Sequence, residues 1–199
     1  MREIFDHWAR KAKTEGYPAR SVYKLKEIEE KFGVIPRRGR VLDLGAAPGS
    51  WSLFVLRLRG PDCRVVAVDL APLAIPARPE LVFYQGDIFA GETLAFLEST
   101  GPFDAVLCDA APATTGNRTV DASRSETLVE QALKIAEKTL RPGGACVVKI
   151  FQGSGERRIR EEMRNSFASV KAFKPKATRS ESFETYFIAW SKAPGGAVG

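Results

Sequence analysis

Residues 40–51 read RVLDLGAAPGSW, and this stretch decides the fold. Its first half, RVLDLG (40–45), is an apolar, β-branched run of strand type. Its second half turns on Gly45 and Gly49 and opens a helix predicted over 49–59. Both glycines permit a tight turn and a close backbone approach to a ligand. Pro48 suits the first helical turn, where its missing N–H costs nothing. Strand, glycine turn and helix in immediate succession form the opening unit of an α/β domain.

The turn departs from GxGxxG. It lacks a third glycine at that spacing, and Asp43 stands two residues before it. A carboxylate there repels a pyrophosphate but accepts hydrogen bonds from an ammonium or a bound water. That disfavours a nicotinamide dinucleotide and favours a cofactor with a positively charged amino-acid end, such as S-adenosylmethionine (SAM). Asp69, ending RVVAVDL, is placed to accept both hydroxyls of an adenosine ribose, and Asp87, in YQGDIF, to accept from the adenine amine.

Working outward, further strands are expected at 64–70, 81–87, 103–110, 143–151, 169–175 and 184–190. Helices are expected at 20–32, 49–59, 91–99, 123–140 and 155–167. Ser123 or Ser125 is the expected N-cap of the fourth helix, and Arg141-Pro142-Gly143-Gly144 its stop. APLAIPARPE (71–80), with three prolines, should form an irregular connection. The pattern predicts helices on both faces of a seven-stranded, mostly parallel sheet finished by a C-terminal antiparallel strand. Its ligands bind beyond the carboxyl ends of the strands.

At 199 residues and 44% hydrophobic, the chain fits one domain over 1–192, with a flexible tail at 193–199. Residues 1–39 read as a basic helical extension. No apolar run spans a bilayer and the N-terminus has no signal-peptide core, so a cytoplasmic location is expected; a monomer is expected as well. Cys63, Cys108 and Cys146 lie in or beside apolar runs and read as small buried hydrophobes. With a single histidine, His7, no metal site is expected.

Charge is uneven: residues 1–40 carry net +5, 41–155 net −3 and 156–199 net +4. If both ends fold onto one rim, they make a cationic track for a polyanion, and the pI near 9.3 points to nucleic acid. Arg10, Lys11, Lys13, Arg20, Arg37 and Arg38 from one end could bind phosphates. Arg157, Arg158, Arg160, Lys174, Lys176 and Arg179 could join them from the other. Trp8, Tyr17 or Phe151 could stack on an exposed base.

Four charged residues end or border apolar runs. Asp109 ends AVLCD, Lys149 ends CVVK, Glu184 opens ETYFIAW, and Lys24 lies in RSVYKLKEIEEKFG. Charge at the ends of buried strands costs free energy unless it is paired or used.

At this point the chain closely resembles the FtsJ/RrmJ family of SAM-dependent ribosomal RNA 2′-O-ribose methyltransferases. The matching stretches are KAKTEGYPARSVYKL, VLDLGAAPGSW, AVDL, QGDIF, CDAAP, CVVKIFQG and SFETYFIA, in order from about residue 6 to residue 190. The resemblance implies a Rossmann-like methyltransferase fold and places a catalytic Lys–Asp–Lys–Glu set on Lys24, Asp109, Lys149 and Glu184. It places SAM contacts on Gly49, Trp51, Asp69, Asp87 and Asp109. Asp43, Gly45, Ala46, Pro48 and Ile88 complete the candidate cofactor set. The implied substrate is a uridine of large-subunit ribosomal RNA, alone or in the large ribosomal subunit. Ser50, Ala110 and Ala113-Thr114 depart from the bacterial pattern beside an intact tetrad. For the chemistry, Lys149 is either a neutral general base or a cation that orients the hydroxyl. The alternative functions are a non-catalytic RNA-binding assembly factor and a 2′-O-methyltransferase of another RNA such as tRNA.

Overall fold

The computed structural model describes residues 2–153, 155–179 and 182–193. The expected tail at 193–199 lies, apart from Ala193, outside the described residues. The chain forms one sheet of strands β1 (Gly39–Leu44), β2 (Cys63–Asp69), β3 (Leu81–Gln85), β4 (Phe103–Cys108), β5 (Leu140–Phe151), β6 (Phe167–Phe173) and β7 (Glu184–Lys192). Its helices are α1 (Arg2–Thr14), α2 (Val22–Phe32), α3 (Ser50–Arg59), α4 (Gly91–Thr100), α5 (Arg118–Thr139) and α6 (Glu156–Ser166).

The strand order is β3-β2-β1-β4-β5-β7-β6. Strands β1 to β5 pair parallel, and β7 runs antiparallel to both β5 and β6. The crossover through α6 sets β6 parallel to β5 but one strand away. Among its described residues the link from β6 to β7 holds no helix, and the chain returns antiparallel into that gap.

Alternate residues of the central strands feed two cores. Val41, Val65, Leu107, Val147 and Ile188 pack under α2 and α3. Leu42, Val66, Val106, Val148 and Phe187 pack against α4, α5 and α6. Burial on both faces is what their unbroken apolar runs require. The three cysteines are free and buried. Burial pushes the Cys108 thiol up to about 12, as expected of a small core hydrophobe.

Three local expectations need correction. Pro48 does not open α3: Gly49 is its N-cap, in a left-handed conformation at φ 108°, and the helix begins at Ser50. Helix α5 starts before Ser123, because the Asn117 side chain accepts from the N–H groups of Thr119 and Val120 at 3.1 and 3.3 Å. Ser125 instead lies buried inside the helix, its hydroxyl accepting from Phe151 N–H at 3.0 Å. Residues 141–144 fall within β5, whose pairing with β4 shifts register there. As expected, 71–80 holds no helix.

Candidate active site

The strand order reverses between β1 and β4, and a cleft of about 460 Å³ opens over the carboxyl ends of the strands there. Gly45, Asp69, Asp87, Ile88 and Asp109 line it. Asp43, Ala46, Pro48, Gly49 and Trp51 do not. Asp43 is buried beneath the turn, and Trp51 packs 6.0 Å from the Tyr186 ring while its indole N–H donates to the Ser21 carbonyl at 2.9 Å.

The turn's close approaches are to protein. A Cβ on Gly45 would sit 2.7 Å from Ala110 Cα, and one on Gly49 would sit 3.0 Å from Ile75. Gly45 also holds φ +69°. Gly45→Ala should therefore cost at least about 1 kcal/mol from the backbone alone and force the turn off Ala110. A thermal melt should show the loss, and ligand titration should show weaker cofactor binding.

Asp69 is committed to shaping the turn, accepting from Ala47 N–H at 2.9 Å and Ala71 N–H at 2.8 Å. Asp87 accepts from Phe89 N–H at 2.9 Å. Each carboxylate keeps lone pairs for a ligand, since an ionised carboxyl has about four acceptor sites. Ser50 has a structural use. Its hydroxyl accepts from Ala19 N–H at 2.7 Å and donates to Ala19 C=O at 3.1 Å, tying the approach to α2 onto α3.

The four remote charged residues converge. Register pairs Lys149 with Tyr186 and Phe151 with Glu184, and directly opposed residues share a face. Lys149 Nζ lies 3.1 Å from Asp109 Oδ1 and donates to the Asp109 carbonyl at 2.6 Å. Lys24 Nζ meets Glu184 Oε1 at 2.5 Å, from α2. Tyr186 joins the two pairs: its hydroxyl donates to Asp109 Oδ1 at 2.6 Å, and Lys24 Nζ lies 5.8 Å from its ring centroid. Sequence reading missed Tyr186. The signal was present, because a residue two after Glu184 on a strand points to the same face.

Burial resists ionisation of Asp109. The charges of Lys149 and Lys24 and the hydrogen bonds from Tyr186 and Lys149 outweigh it and hold this carboxyl below its ordinary value. Burial, then the Asp109 and Glu184 charges, pushes the Tyr186 hydroxyl well above its ordinary value, so it stays a neutral donor.

Asp43 is the opposite case. Burial lifts its carboxyl to about 7, the Ser52 hydroxyl at 2.6 Å pulls it down, and Asp109 and Asp69 push it up. Its Oδ1 is buried and has no hydrogen-bond partner among the described residues. The folded state thus holds a proton that the unfolded chain releases near pH 3.8. Stability should fall as pH rises from about 4 to about 7. Asp43→Asn should flatten that segment of a denaturation-versus-pH curve, and an unchanged slope would clear Asp43 of it.

Several expected RNA contacts serve packing instead. Tyr17 and Phe151 are buried, and Trp8 packs at a tilt against Tyr23 with centroids 4.7 Å apart. Arg158, though exposed, is ion-paired with Glu126, Glu130 and Glu162. Among the described residues no group of three or more His, Cys, Asp or Glu side chains could hold a metal, and no helix is long and apolar enough to cross a membrane.

The chain is similar to known proteins along nearly its whole length. Residues 17–192 match the family model described as FtsJ-like methyltransferase. A Treponema denticola protein named ribosomal RNA large subunit methyltransferase E is 53% identical over 184 residues, covering 92% of each chain. A protein of the same name from Oleidesulfovibrio alaskensis is 48% identical, covering 94% of this chain and 92% of its own. A Plasmodium falciparum structure described as a ribosomal RNA methyltransferase superposes with TM-score 0.79 at 25% identity, over 90% of this chain and 100% of that one.

Proposed function

The chain belongs to the FtsJ-like methyltransferase family, and on that footing we propose that it transfers a methyl group from SAM to a ribose 2′-hydroxyl of large-subunit ribosomal RNA. The observation that carries this reading is Lys149 Nζ, held against two oxygens of Asp109, a residue that also lines the cleft. When bound, SAM supplies the activated methyl on a sulfonium; the chain supplies everything that binds and orients.

The residues fit that cofactor. Asp69 and Asp87 line the cleft with lone pairs to spare for ribose and adenine. A hydroxyl attacks poorly until its proton is drawn off or its developing charge is stabilised. Two contacts of Lys149 Nζ go to Asp109, which aims what remains of its hydrogen-bonding capacity at an incoming oxygen. Tyr186 and the charge of Lys24 keep Asp109 ionised, and Glu184 keeps Lys24 in place. The groups are fixed before substrate arrives, so little reorganisation is spent during reaction.

The test is transfer of tritiated methyl from SAM to large ribosomal subunits purified from cells lacking the protein. The product should resist alkaline cleavage at one position, as a 2′-O-methylated sugar must. Label recovered on a base would overturn the ribose reading.

Tyr186→Phe should lower kcat on the order of tenfold, because Asp109 loses a charge-assisted hydrogen bond in a buried site. SAM affinity should change little. A wild-type kcat would remove Tyr186 from the constellation.

A further inference from the structure

One charged residue, resting on the ring that precedes Glu184, has no part in the mechanism above. Arg118 is the first residue of α5, exposed, and its guanidinium carbon lies 4.9 Å from the centroid of the Phe183 ring. Among the described residues no carboxylate lies within ion-pair distance of it, whereas Arg158 near the same strand ends pairs with Glu126, Glu130 and Glu162. Phe183 is half-buried and packs on Phe151, ring centroids 4.7 Å apart.

Both partners are held where they stand. Phe183 immediately precedes Glu184, and its carbonyl accepts from Gln152 N–H at 2.8 Å, so the pairing of β5 with β7 continues past the strand end. The ladder that sets Glu184 on Lys24 therefore also sets Phe183. On the other side, Asn117 caps α5, while buried Asp121 accepts from Thr115 N–H at 2.7 Å, Thr115 hydroxyl at 2.9 Å and Gly116 N–H at 3.2 Å. These bonds pin the loop that carries Arg118. An exposed cation on a half-buried ring, built on two rigid supports where the β5–β7 pairing ends, is costly to order for nothing.

We propose that Arg118, supported by Phe183, is the platform on which the base of the acceptor nucleotide stacks, so that ring, guanidinium and base form one column beside the tetrad. Guanidinium planes and aromatic rings are the two surfaces on which unpaired RNA bases stack. The column also explains a need of the reaction. A ribose can present its 2′-oxygen to Lys149 only if its base is held elsewhere, and Tyr17 and Phe151 are buried. This inference rests on the RNA reading of the site.

The test measures methyl transfer to large ribosomal subunits from cells lacking the protein, with SAM binding followed separately. Arg118→Ala and Phe183→Ala should each raise KM for the subunits on the order of tenfold, with kcat and SAM affinity near wild type. Phe183→Trp should restore KM, since indole offers an equal or larger face. Arg118→Lys keeps the charge but not the plane and should bind as poorly as Arg118→Ala. A wild-type KM in Arg118→Ala, recovery in Arg118→Lys, or a loss confined to kcat would each overturn the platform. If the wild-type protein transfers no methyl at all, the functional reading fails by itself. Anisotropy with labelled oligouridine then decides the platform: weaker binding by both alanine variants supports it, and equal binding overturns it.

Discussion

Lys149→Ala should reduce methyl transfer to ribosomal subunits by roughly 10³-fold or more, while SAM binds nearly as well as before. The separation follows from where the side chain points. Lys149 is not among the residues lining the cofactor cleft, and both of its polar contacts go to Asp109. Removing it takes away the nitrogen proposed to meet the acceptor oxygen and leaves Gly45, Asp69 and Asp87 in place. Asp109 loses its largest compensating charge, so a modest weakening of SAM is expected through that shared residue. Lys149→Arg should not recover the rate: the guanidinium is planar and longer and cannot make the same pair of contacts to Asp109. Single-turnover transfer measured beside calorimetric SAM titration distinguishes these effects. Equal transfer in the alanine variant would end the proposed role of Lys149.

The second large effect concerns stability as well as rate. Lys24 and Glu184 face each other with only 9% and 11% of their side chains exposed. Lys24→Ala leaves Glu184 buried without its partner, and breaking a buried pair in this way costs about 3–5 kcal/mol. Chemical denaturation should show the loss directly. The double variant Lys24→Met with Glu184→Leu removes both charges while filling similar volume, and should recover most of that stability, because desolvating two ions offsets their attraction. It should nonetheless remain inactive, since Asp109 no longer feels the Lys24 charge and Tyr186 loses its flank. A stable double variant with wild-type transfer would show that the pair serves only the fold.

How much was legible beforehand follows from the range of each signal. The strands were readable because each is a short apolar run set off by glycine, proline or an acidic residue, and their order was bounded by the rules of α/β connection. All seven appear within a few residues of expectation. Errors fell where a tertiary partner overrode local preference. Ser125 has cap chemistry, but its hydroxyl satisfies the Phe151 N–H across the gap between α5 and β5. Pro48 has the torsion for a first helical turn, but Gly49 takes the left-handed cap and shifts the start of α3. Tyr17 and Phe151 look like stacking rings, yet the core holds both.

The sequence alone determined the parallel sheet, the turn at 45–49 and the line of carboxylates at the strand ends, because those properties are written in runs of a few adjacent residues. Resemblance added which charged side chains belong together. Only tertiary structure decided that Tyr186 bridges the two ion pairs, that Asp43 lies beneath the cleft rather than on it, and that Arg118 rests on Phe183. Each of those depends on the register of β7 against β5 or on how closely a loop approaches its neighbour. Such distances arise from packing between distant segments, which no local pattern encodes.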